Sequence, residues 1–106
     1  MKLTAEQLKK SGFEATCKSD FLVSPVDQPA NAARLLLAEL RTRPAPPGYE
    51  QFSLLFQGPP EPTLPQGTYR FQHARMGEMP LFMVPVGRNQ EGVQYEVCIS
   101  RSTEYD

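Results

Sequence analysis

One histidine, two cysteines and four methionines carry the widest chemical range in this sequence. His73, Met76, Met79 and Met83 fall in the short run HARMGEMPLFM. Thioethers beside an imidazole select Cu(I) by softness. Methionine is equally the residue that fills irregular gaps in a core, and Met83 lies in an apolar run. A Cu(I) site would therefore draw on His73, Met76 and Met79. The plainer reading, adopted here, assigns no metal and no cofactor.

A nucleophilic mechanism would need a serine or thiol brought to His73 and an acid to orient the ring. Cys17 and Cys98 are the only thiols, and their spacing places neither beside the histidine. Glu50, Glu61, Glu78, Glu91 and Glu96 fall mostly in turns or on the polar side of alternating runs, where solvated surface is the ordinary state of a carboxylate. The glycines from Gly87 to Gly92 follow a strand without opening a helix, so they are no phosphate cradle. The sequence offers no catalytic constellation, and the expectation is a protein that is not an enzyme.

The elements that would position these side chains read as follows. MKLTAEQLKKSG carries the marks of a short helix over residues 1–12, with Thr4 and Gln7 as a capping box, Leu3 and Leu8 as a staple and Gly12 as the stop. From Phe13 to Val23, Phe13, Ala15 and Cys17 alternate before a polar break at Lys18-Ser19-Asp20, which predicts a hairpin or bent strand. Residues 24 to 31 are loop by composition. AARLLLAELRTR, residues 32–43, has helix formers throughout, yet its apolar residues also alternate. Beyond Pro44 the alternation is clean: Phe52, Leu54 and Phe56 share one face, as do Tyr69, Phe71 and His73, and then Val93, Tyr95, Val97 and Ile99. Met76-Gly77-Glu78 reads as a tight turn, Gly87 to Gly92 as a loop, and Pro85 marks an edge or a bulge.

Between two of these strands lies GPPEPTLPQG, residues 58–67. Prolines stop the ladder because they lack a donor, and Pro65-Gln66-Gly67 suits a type II turn. The bland account is a stiffened crossover. The functional one makes Pro59, Pro60, Pro62 and Pro65 a polyproline II rib offered to an aromatic groove. Together with Pro85, on a candidate strand edge, these are the expected interaction residues.

The blocks FSLLFQGP, LPQGTYRFQH, LFMVPVG and QYEVCIS resemble a family of small uncharacterised bacterial domains, a domain of unknown function. The resemblance is strong after residue 52 and weaker before residue 32. It implies a fold and no activity. In that family the block matching Leu35–Leu40 is a strand, which implies a strand over residues 32–43 against the local propensity.

Bulk composition closes the reading. At 106 residues the chain is one domain, long enough to bury roughly two-thirds of its unfolded surface. A net charge of −1, with charges scattered, provides no basic stripe and argues against nucleic acid as a partner. No apolar run is long enough to cross a membrane. The N-terminus lacks the apolar core of a secretory signal, which points to the cytoplasm and to two free thiols. The expected architecture is all-β: a small antiparallel barrel or sandwich of about six strands over residues 13–102, with a short N-terminal helix and a tail at 103–106. The expected role is a non-catalytic interaction or accessory domain with a protein partner, in a larger bacterial or phage-tail-like assembly. The alternative is a barrel that binds a small ligand or Cu(I).

Overall fold

The computed structural model describes residues 8–28 and 30–103. One short helix, α1 (Lys10–Ala15), precedes six strands: β1 (Asp20–Pro25), β2 (Ala33–Arg43), β3 (Tyr49–Gln57), β4 (Gly67–His73), β5 (Gly77–Asn89) and β6 (Gly92–Ser102). All pairings are antiparallel, and the sheet closes in the order β1-β2-β3-β6-β5-β4. The expected all-β barrel with a short N-terminal helix is what forms.

Closure is achieved by two long strands that change partners halfway. β2 pairs with β1 over Ala33–Leu36 and with β3 over Leu36–Arg43. β5 pairs with β4 over Gly77–Met83 and with β6 over Val84–Asn89. Each carries a register shift beside the changeover, between Leu37 and Glu39 in β2 and between Pro85 and Gly87 in β5. A bulge bends its strand and raises the local twist, which is how one strand turns a corner between two packed layers. The helical propensity of residues 33–43 is overridden because β1 and β3 both require this segment as their neighbour. Pro85 sits at the second bulge. It does not mark an edge strand, since β5 is bonded to β4 and to β6.

The interior is filled by the inward residues of the alternating runs. Phe21, Phe52, Phe56, Phe71 and Tyr95 are fully buried together with Leu35, Leu37, Leu54, Met79 and Met83. Phe21 and Phe56 meet edge to face at 5.4 Å, and Phe56 and Phe71 lie 5.2 Å apart. Such pairs add about 0.5–1.5 kcal/mol beyond the area they bury.

The segment before β1 differs from its sequence reading. The capping box and staple expected at Leu3, Thr4 and Gln7 lie outside the described residues. The described helix is Lys10–Ala15, so Gly12 is inside it and Phe13 and Ala15 are helical, not strand. Lys9 at the N-cap makes no side-chain capping bond, and a helix of this length has no independent stability. Tertiary contact holds it: Phe13 is fully buried and its ring lies 5.9 Å from that of Phe52, plugging one end of the barrel.

Turn chemistry also moved. Gly67 has no left-handed φ and opens β4, so the type II turn expected at Pro65-Gln66-Gly67 is not made. That turn appears at Pro46–Tyr49 instead, where Gly48 has φ +84° and Tyr49 N–H donates to the Pro46 carbonyl at 3.1 Å. The expected loop from Gly87 to Gly92 is mostly ladder: Asn89 pairs with Gly92 across a two-residue turn, and Asn89 Oδ1 accepts the N–H groups of Glu91 and Gly92. His73 pairs with Gly77, so the expected turn at Met76–Glu78 is centred on residues 74–76.

Candidate functional site

His73 is the last residue of β4, and the alternation that buries Tyr69 and Phe71 turns its ring toward the interior, 4.6 Å from the ring of Phe21. Its Nδ1 accepts the backbone N–H of Arg75 at 3.0 Å and that of Met76 at 3.4 Å. A nitrogen that accepts two donors carries no proton, so the proton resides on Nε2. Nε2 lies 2.8 Å from Ser19 Oγ and donates to it. The Ser19 hydroxyl then donates to the Thr16 carbonyl. The chain of bonds runs from the β4–β5 turn through His73 to the turn between α1 and β1.

This serine and histidine meet although 54 residues separate them. Sequence reasoning did not bring Ser19 to His73, because nothing in a polar Lys-Ser-Asp break signals a distant partner. The contact is not a nucleophile–base pair. General-base activation requires a lone pair on the nitrogen facing the hydroxyl, and here that nitrogen holds the proton. Burial, with a smaller contribution from the Arg75 guanidinium, lowers the His73 pKa and favours the neutral ring that this network needs.

A shallow depression of about 430 Å³ opens beside the corner, lined by Asp20, Leu22, Arg34, Gln72 and His73. It lies on the outside of the barrel. Arg34 and Asp20 approach to 3.6 Å across its rim with both side chains well exposed, a pair worth little in water.

The methionines do not converge with His73 on a common point in solvent. Met79 and Met83 are fully buried in the core. The Met76 sulfur lies 3.3 Å from Thr16 Oγ1 and packs against the core. Among the described residues, no group of three or more His, Cys, Asp or Glu side chains is arranged to hold a metal ion. Cys17 and Cys98 are free thiols. Desolvation and the adjacent Glu96 carboxylate push the Cys98 pKa up, which disfavours the nucleophilic thiolate.

The proline loop crosses the end of the barrel opposite α1 and is held along its length. Gly58 N–H donates to the Val93 carbonyl at 2.8 Å, and Leu64 N–H donates to the buried Tyr95 hydroxyl at 2.9 Å. Tyr69 O–H donates to the Pro65 carbonyl at 2.6 Å. The two terminal nitrogens of Arg88 reach the Pro60 carbonyl and Thr63 Oγ1, each at 2.9 Å. The backbone is thus tied down, while Pro60, Pro62 and Pro65 are exposed and Pro59 is half-buried. Pro85 is half-buried opposite Tyr95. These fastenings were missed because their partners, Tyr69, Arg88, Val93 and Tyr95, sit on β4, β5 and β6 and read in sequence as ordinary strand residues.

Outside the barrel, β5 leaves apolar side chains in water. Phe82 is 54% exposed and Val86 51%, with Pro80 also exposed and Val84 half-buried between them. Among the described residues, no helix is long and apolar enough to cross a membrane.

The family model described as Domain of unknown function (DUF6916) matches residues 8–99, and the chain belongs to that family. No curated protein and no solved structure matches the chain.

Proposed function

We propose that the domain is a non-catalytic interaction module, an accessory part of a larger assembly, that binds a protein partner through the outward face of β5 and the adjoining proline loop. The observation that carries this reading is a contrast. The interior is packed with aromatic rings, whereas Pro80, Phe82, Val84 and Val86 form an apolar stripe on the outside of one strand. Aromatic side chains left on a surface patch are the usual anchors of protein interfaces. The proton arrangement at Ser19 and His73 and the raised Cys98 pKa support a role without catalysis.

The test is comparative capture. Wild-type domain and a Phe82→Ser/Val86→Ser variant, both immobilised, are exposed to a lysate of the cell of origin and the retained proteins are quantified by mass spectrometry. The reading expects at least one protein whose recovery falls about tenfold or more on the variant, with circular dichroism unchanged. Equal recovery on both surfaces would remove it.

A further inference from the structure

A second surface follows from the way β3 ends. β2 has β1 on one side over Ala33–Leu36, but its pairing with β3 begins only at Leu36, opposite Gln57. After Gln57 the chain turns away, as Gly58 N–H bonds to the Val93 carbonyl and the loop crosses the barrel end. The first residues of β2 are left with no strand on that side. Leu37 exchanges bonds with the β1 side, its N–H donating to the Ser19 carbonyl and its carbonyl accepting from Lys18. Backbone groups alternate in direction along an antiparallel strand. The N–H and C=O of Arg34 therefore point away from β1, into the space that a longer β3 would occupy.

That space is an open groove of about 610 Å³, with Arg34 and Leu36 on one side, Pro59 and Pro62 on the other, and Glu91 at its rim. The proline wall lacks N–H donors and cannot complete the ladder from within the chain. Glu91 makes no ion pair among the described residues, so the groove offers one uncompensated negative charge beside one open pair of backbone groups.

We infer that this groove binds an extended peptide segment of a partner protein, running antiparallel to β2 in the place of a prolonged β3 and presenting a lysine or arginine to Glu91. An extended backbone matches the Arg34 donor and acceptor together, which is recognition by strand addition. About three residues, roughly 10 Å of strand, span the open edge from Ala33 to Leu35. The groove shares the proline loop with the surface proposed above but none of the β5 stripe, which lies on another strand.

The probe is a phage-displayed library of random heptapeptides panned on the wild-type domain, with enriched peptides synthesised and titrated by fluorescence polarisation. Expected are sequences free of central proline that carry a basic residue. Kd should weaken about tenfold or more in two variants. Arg34→Pro removes the open donor and keeps the backbone bonds to β1, losing only the exposed ion pair with Asp20, and Glu91→Lys reverses the rim charge on an exposed turn. Phe82→Ser should leave Kd unchanged. N-methylation along a bound peptide should abolish binding at one position, the residue whose N–H meets the Arg34 carbonyl, and spare its two neighbours, which keeps the inference testable if Arg34→Pro fails to fold. Failure of any peptide to enrich over bare beads would overturn it. So would a Kd indifferent to Glu91→Lys, or N-methyl effects that are absent or spread over adjacent positions. A self-association lost in Glu91→Lys, with no peptide bound, would make the occupant a second copy and overturn it too.

Discussion

Gly92 and Gly58 meet where the β5–β6 turn passes under the proline loop: a β-carbon on Gly92 would lie 2.2 Å from the Gly58 carbonyl oxygen. The other near atoms belong to the backbone of Pro59 and Pro60, which cannot swing aside. Gly92 also has φ +140°, a conformation that side chains rarely adopt. Gly92→Ala should therefore cost about 2–4 kcal/mol through overpacking and backbone strain. The check is a urea unfolding midpoint, with Gly48→Ala as comparison. Gly48 shares the positive φ but has open space around it, so its cost should be about 1–2 kcal/mol, from strain alone.

His73 supplies a pH dependence with a definite sign. Its folded-state pKa lies below the ordinary value near 6.5, chiefly because of burial and then because of Arg75. The unfolded chain then binds the proton more readily, so the stability His73 contributes is fully present above about pH 7 and is lost as pH falls through 6.5 toward the folded pKa. Protonation of Nδ1 would also break its bonds from Arg75 and Met76. Unfolding midpoints measured from pH 7.5 to pH 5 should fall for wild type. They should fall less for His73→Phe, which has no titrating group there. As the only histidine, His73 can be followed directly by its ring proton shifts.

A charged pair closes the far end of the barrel. Arg101 Nε donates to Glu50 Oε2 at 2.9 Å, with the arginine side chain almost wholly buried. Glu50 also accepts the N–H of Lys10, at 3.4 Å, so one carboxylate links β3, β6 and α1. Glu50→Ala should cost about 2–4 kcal/mol, because a buried guanidinium loses the carboxylate that its Nε–H meets. Glu50→Leu combined with Arg101→Met should recover most of that loss, since apolar pairs of similar size often replace buried ion pairs without penalty. Chemical denaturation of both variants and of each single change gives the coupling.

The barrel was legible in the sequence wherever one face is buried and the period is two. Phe52, Leu54 and Phe56, or Val93, Tyr95 and Val97, state their register outright. Residues 33–43 were not legible from their own propensities, since Leu, Ala, Glu and Arg form helices alone and a strand here only because β1 and β3 flank them. The bulges at Ala38 and Val86 that let the ring close leave no mark in composition. The Pro85 position hinted at irregularity but not at a corner. The site was less legible still. His73 was noticed as a residue, but its state is set by Ser19, two backbone amides and Phe21, all positioned by the topology. The prolines were visible, whereas what fastens them, Tyr95, Tyr69 and Arg88, reads in sequence as ordinary strand residues.

The fastening of the proline loop gives the last prediction. Tyr95 is fully buried, and its hydroxyl accepts the Leu64 N–H from inside the barrel end. Tyr95→Phe leaves the ring packing intact and removes only that acceptor. A donor deprived of its partner away from water costs about 1–3 kcal/mol. The cost falls on the loop, so it should appear first as local opening and only partly in global stability. The amide exchange protection of Leu64 should drop about tenfold for each 1.4 kcal/mol lost locally, while protection of the β3 amides that pair with β6 stays close to wild type. Tyr69→Phe is the contrasting case. It removes a donor from the Pro65 carbonyl, and Pro65 is exposed, so water can replace the bond. Its cost should be about 0.5–1.5 kcal/mol, the net worth of an ordinary hydrogen bond. Equal loss of Leu64 protection in the two variants would mean that Tyr95 does not anchor the loop.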